Sequence, residues 1–291
     1  MNRQVQPLAM SSKCLLAAVV VALAACGGGE TSPTIPDDAF PVVANADLSV
    51  GPQRVLVGLV TPDATSHADP DLAVELDFFP QDQPDAGFAV EGVFIWTVPE
   101  VRGLYRALVS FDRPGVWQVS LHSSENEDPP TQAVPFNVAE DGLTPAVGQR
   151  APGVATATSA DAALSEISTD PEPDPRFYEI SLDQALTSGS PTVVVFATPA
   201  FCESATCGPM LDNVKELSGG YPEMNFVHVE IYQNLDAPTP DQLQVVEAVR
   251  AWGLPSEPWV FVLDREGVVT AKFEGTVDRK ELTDALEGVT E

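Results

Sequence analysis

Apolar positions follow three successive regimes along the chain. A single short apolar block, Leu15 to Ala25, comes first. From Val42 to Val138 the apolar residues fall into short runs: Gln53–Val60, Leu72–Phe79, Val90–Trp96, Leu104–Phe111, Val116–Leu121 and Ala133–Val138. Turns rich in Pro, Gly and Asp separate them, and no stretch between them has a helical period. Strands at this spacing predict an antiparallel all-β sandwich. Leu104–Phe111 and Val116–Val119, joined by Asp112-Arg113-Pro114-Gly115, read as a hairpin. From Arg176 strands and helices alternate. A strand at Phe177–Ile180 precedes a helix capped by Ser181 and running to about Ser188. Val193–Ala197 is a continuous β-branched run bounded by prolines, the pattern of a strand buried on both faces. Met210, Leu211, Val214 and Leu217 then share one helical stripe. A strand at Phe226–Ile231, a helix from about Asp241 to Trp252, a hairpin of Trp259–Leu263 with Val268–Phe273, and a helix over Arg279–Leu286 capped by Asp278 complete the chain.

These regimes divide the 291 residues. Residues 1–26 are a targeting segment, with Arg3 and Lys13 ahead of the apolar block. Residues 27–41 are a tether rich in Gly, Ser, Thr and Pro. Residues 42–140 form the sandwich. Residues 141–175, punctuated by Pro152, Pro171, Pro173 and Pro175, read as a flexible linker able to span roughly 30 Å. Residues 176–291 form an α/β domain.

A formal charge of −29 argues against nucleic acid or anionic lipid as a binding surface. Leu23-Ala24-Ala25-Cys26 resembles a bacterial lipobox, in which a signal peptidase cuts before a lipid-modified cysteine. That resemblance implies a protein lipid-anchored at Cys26 on the extracytoplasmic face of the cell envelope. Cys14 would be discarded, leaving Cys202 and Cys207 as the remaining thiols where disulfides persist. The residues 104–119 resemble part of the immunoglobulin-like domains of bacterial exported proteins of the YtkA or FixH type. His67 and His122 read as ordinary surface histidines.

Cys202 and Cys207 sit where a buried strand hands over to a helix N-terminus, the pattern of a thioredoxin-like redox site. The element order βαβαβαββα over residues 176–291 also resembles the thioredoxin fold. Trp252-Gly253-Leu254-Pro255-Ser256-Glu257-Pro258, followed by an apolar strand, resembles the thioredoxin segment that carries a cis-proline facing the dithiol. The resemblance gives that role to Pro258. Glu257 replaces the usual aliphatic residue there, and a carboxylate beside the dithiol raises thiol pKa values. Four residues separate the cysteines, where thioredoxins have two. Positions five apart on a helix lie roughly 140° apart. Cys202 therefore sits in the loop, or the helix starts near Gly208-Pro209. Alignment puts Cys202 near the family's nucleophile, Phe196 where thioredoxins bury an Asp, and His228 where they carry a nearby lysine. No Lys or Arg occurs between Pro191 and Lys215 to hold a thiolate.

The candidate catalytic set is Cys202, Cys207, Pro258 and His228, with no cofactor. The leading reading is thiol–disulfide exchange with envelope protein thiols or disulfides, Cys202 attacking and Cys207 resolving. A second is a redox-silent binding or scaffold lipoprotein stapled by a structural Cys202–Cys207 bond. The third is a copper chaperone resembling the Sco family, with Cys202, Cys207 and His228 as metal ligands, since thiolates and imidazole suit Cu(I). Pro199 three positions before Cys202 removes the Thr-x-x-Cys pattern of thiol peroxidases.

Overall fold

The computed structural model describes residues 1, 33–122, 132–237 and 239–290. The expected targeting segment, Cys26 and most of the tether lie outside the described residues. From Pro33 onward the chain forms one compact unit containing two sheets.

The first sheet has seven strands: β1 (Phe40–Val43), β2 (Gly51–Val60), β3 (Val74–Pro80), β4 (Phe88–Val98), β5 (Arg102–Phe111), β6 (Gly115–Leu121) and β7 (Val134–Val138). All pairings are antiparallel, in the order β1-β2-β5-β4-β3-β6-β7. β1 went unpredicted; it tolerates Pro41 because it is an edge strand. The expected two-layered immunoglobulin-like sandwich is instead one sheet curled nearly shut. Ser49 bridges Ala139 in parallel, with Val50 N–H donating to Ala139 O at 3.0 Å and Ala139 N–H to Leu48 O at 2.9 Å. Inside lie Val57, Leu76, Phe78, Tyr105, Phe111 and Trp117. The hairpin expected over Arg113-Pro114 does not form, because β2 and β4 occupy both edges of β5, and β3 and β7 both edges of β6. The connection stays at the surface, while the Phe111 and Trp117 rings of the strands it joins meet at 4.9 Å and Trp117 Nε1–H donates to Arg113 O.

The second sheet comprises β8 (Thr192–Ala197), β9 (Asn225–Glu230), β10 (Trp259–Leu263) and β11 (Val269–Glu274), in the order β11-β10-β8-β9. β8 and β9 are parallel; the other pairs are antiparallel. Helices α1 (Leu164–Ile167), α2 (Leu182–Ala185), α3 (Cys207–Ser218), α4 (Glu247–Ala251) and α5 (Arg279–Thr290) accompany it. Met210, Leu211 and Val214 of α3 and Leu282 and Leu286 of α5 cover one face; α2 and α4 cover the other. All six β8 residues are buried, as a central strand between two helical layers requires. A mixed four-stranded sheet with helices on both faces is an α/β arrangement, as the alternating pattern predicts. Local differences follow from proline and from competing hydrogen bonds. Phe177–Ile180 is not a strand: Pro175–Tyr178 make a 3₁₀ turn capped by Asp174. The Ser181 hydroxyl accepts Thr156 N–H and donates to Asp183, so it does not cap α2, which is one turn long. The helix expected over 241–252 shrinks to α4, because Val245 bridges Tyr232 instead.

Residues 141–175 are the largest correction. The expected flexible linker is a strap fastened along its length. Leu143 N–H, Thr144 N–H and the Thr144 hydroxyl donate to buried Asp47, which Lys272 of β11 also approaches at 3.4 Å. Arg150 bridges Val268, and the Trp252 indole N–H donates to Pro152 O. Thr158, Ser168 and Asp170 are buried polar residues whose side chains are all hydrogen-bonded. Gly253 lies at φ +63°, and a Cβ there would drive into the Leu143 carbonyl oxygen. Gly253→Ala should therefore cost about 2 kcal/mol or more, through a left-handed alanine and a backbone clash. That exceeds the roughly 0.5–1 kcal/mol gained by restricting the unfolded chain. A shift in the urea midpoint measures it; an unchanged midpoint would show that the strap yields.

Candidate functional site

β8 ends at Ala197, and the loop Thr198–Thr206 carries the chain to α3. Cys207 is the first residue of α3, with Pro209 in the opening turn, where a missing N–H costs nothing. Cys202 stays in the loop, and the two sulfurs are bonded across a Cα–Cα distance of 6.0 Å. They are unequally accessible: Cys207 is fully buried, whereas Cys202 is half-buried. Cys207 N–H donates to Cys202 Sγ at 3.3 Å, so the positive end of a 12-residue helix points at the outer sulfur. Ser204 Oγ lies 3.2 Å from the same sulfur and 2.8 Å from Thr206 Oγ1. Within the loop Ala205 adopts φ +60° and donates its N–H to Cys202 O.

The Glu257–Pro258 peptide is cis, and Gly275 N–H donates to Pro258 O at 2.9 Å. Burial pushes the Glu257 carboxyl above its ordinary range, and the Glu203 charge pushes it further. Burial, Glu257, Glu203 and Glu230 likewise raise the Tyr232 phenol, whose ring meets Phe201 at 5.9 Å. Among the described residues no cation forms an ion pair with Glu203 or Glu257.

His228 is paired in register with Val195, on the α3 face of the sheet. Its Nε2–H donates to Ala197 O at 3.0 Å, and Nδ1 accepts from the Tyr178 hydroxyl at 2.7 Å. Burial drives its pKa down, against the opposing charge of Glu230, and the ring is neutral. It therefore braces the root of the cysteine loop. Both ring nitrogens are committed, so serving as the third ligand of the copper alternative would require His228 to give up one of these bonds. Phe196 points to the opposite face, against Trp252 and Phe261. His67 and His122 engage Thr61 and Asp77 in the first sheet.

Two contributions escape a reading of the sequence. The strap supports the loop: Glu230 accepts from Thr169 N–H and Oγ1–H, and Thr169 Oγ1 in turn accepts Ala200 N–H. Arg102, from the first sheet, donates Nη1–H to Ser204 O at 3.1 Å. Nothing local to position 102 signals this.

No protein-family profile matches the chain, and no curated protein matches it. Among solved structures, it is similar to MTB dsbF, determined in mixed oxidized and reduced forms, at 21% identity and a TM-score of 0.30. That match covers 38% of this chain and 87% of the other. It is also similar to a thiol:disulfide interchange protein of the thioredoxin family from Chlorobium tepidum TLS, at 17% identity and a TM-score of 0.34, covering 50% and 99%.

Proposed function

We propose that the protein carries out thiol–disulfide exchange through Cys202 and Cys207. The observation that carries this reading is the asymmetry of the pair: the outer sulfur accepts the Cys207 N–H at the start of α3, and the inner sulfur is buried. When reduced, Cys202 attacks one sulfur of a partner disulfide as the thiolate. A mixed disulfide forms, and the partner's second sulfur leaves as a thiolate and takes up a proton. Cys207, deprotonated in turn, attacks Cys202 Sγ, restoring the internal bond and expelling the first partner sulfur. Two electrons pass from the cysteine pair to the partner; the reverse sequence oxidises a partner dithiol. Equilibration with glutathione, read by alkylation and mass, tests this. Exchangers lie between about −270 and −120 mV, and Glu203 and Glu257 disfavour the thiolate, so a value in the lower part of that range is expected. A potential below about −300 mV would make the bond a structural staple.

The same reading places the protein on the extracytoplasmic side of a membrane, lipid-anchored at Cys26, with envelope proteins as partners. Leu23-Ala24-Ala25-Cys26 supports it. Cys26→Ser should release the protein from the membrane fraction; a variant that still sediments with membranes would remove the anchor.

A further inference from the structure

The cysteine loop lacks a cation of its own, yet a guanidinium is brought to it from the first sheet. Arg102 opens β5 at the tip of the β4–β5 hairpin and donates to the carbonyl of Ser204, whose hydroxyl lies 3.2 Å from Cys202 Sγ. The hairpin is held at a second point. Thr276 Oγ1–H donates to Trp96 O at 3.4 Å, beside Gly275, which bonds Pro258. Thr97 Oγ1–H donates to Arg102 O across the irregularity between Trp96 and Val98. Arg102 is therefore held by its own bond to the Ser204 carbonyl and by the anchoring of its hairpin to the segment that follows β11. The charged and titratable groups facing the loop are Glu203 within it, Glu257 before β10 and Tyr232 after β9.

We propose that Arg102 is the positioning residue of the dithiol site. It fixes the Cys202–Cys207 loop through the Ser204 carbonyl and brings a positive charge to that loop when a thiolate forms on Cys202. The assignment rests on the exchange reading above. A guanidinium held on a carbonyl of the loop, partly screened by water, is expected to change the thiolate fraction by about threefold to tenfold.

The test uses the full-length protein and its Arg102→Ala, Arg102→Gln and Arg102→Lys variants. The reduced proteins are alkylated with iodoacetamide across a pH series, at low ionic strength and in 1 M NaCl as a general screening condition. Expected are about threefold to tenfold slower alkylation of Cys202 at neutral pH in the Ala and Gln variants. The profile midpoint should rise, the Lys variant should recover most of the loss, and high salt should shrink the difference. Identical profiles for wild type and Arg102→Ala in an exchanging protein would overturn the assignment. A loss that Lys does not recover and salt does not change would equally overturn it, since a purely structural contact behaves that way. A wild-type disulfide that glutathione cannot open, with profiles still shifted at Arg102, would sink the exchange reading and leave the electrostatic assignment standing.

Discussion

Glu281→Ala should destabilise the protein by about 3–5 kcal/mol, the usual cost of removing one member of a buried ionic cluster. Glu281 lies on α5 with its side chain 9% exposed, and its carboxylate is shared by two arginines of the first sheet. Arg54 grips it bidentately at 2.7 Å and 2.7 Å, and Arg106 Nη1 lies at 2.9 Å. Arg54 Nη1 and Arg106 Nε are buried with no hydrogen-bond partner among the described residues, so removing the carboxylate strands two guanidinium groups together. Against a total stability of about 5–15 kcal/mol, such a loss is large. Burial alone would raise the Glu281 pKa, but Arg54 and then Arg106 overcome it and hold the carboxyl below its ordinary 4.5. A depressed carboxyl contributes stability that is complete above the unfolded value and lost as pH falls through the folded one. Wild type should therefore weaken below about pH 4.5, while Glu281→Gln, already weakened, shows a flatter acid limb. Urea unfolding at several pH values measures both, and parallel acid limbs would refute the ionic account.

Cys202→Ser should abolish exchange, and Cys207→Ala should not behave in the same way. Removing the outer sulfur eliminates the accessible nucleophile. Removing the inner one leaves Cys202 able to attack but unable to resolve, so mixed disulfides with partner proteins should accumulate. Single-turnover assays and non-reducing gels separate the two cases. Equal trapping by both variants, or by neither, would contradict the assignment of Cys202 as the attacking sulfur.

Much of this arrangement was legible in the sequence, for reasons that can be named. β8 declared itself because a strand covered on both faces must be continuously apolar, and Val193–Ala197 leaves little alternative. The six expected strands of the first sheet reappear, four with slightly longer bounds and β3 and β7 a residue shorter, since alternating burial imposes a period of two. Sheet closure was not legible: Leu104–Phe111 and Val116–Leu121 look alike whether they pair with each other or with separate neighbours. Polarity concealed the strap. Thr158, Ser168 and Asp170 resemble solvated linker residues until their hydrogen-bond partners are known. Within the site, the loop position of Cys202 followed from helical geometry. His228 was visible only as a strand histidine, and the partners that commit its ring, Tyr178 and the Ala197 carbonyl, stand 50 and 31 positions away. Arg102 is 102 positions from Ser204, beyond any local pattern.

The fastened strap also bears on how the chain divides into autonomous fragments. A polypeptide beginning at Arg176 would contain both cysteines, His228 and Pro258, and would pass for a minimal redox module. It would nevertheless lack Pro152, whose carbonyl accepts the Trp252 indole N–H, and Thr169, which links Glu230 to the loop ahead of Cys202. It would also lack both arginines that neutralise Glu281. The smallest piece that retains all of these partners reaches back to Arg54 in β2, so the cysteine pair cannot be excised at the boundary where the α/β pattern begins.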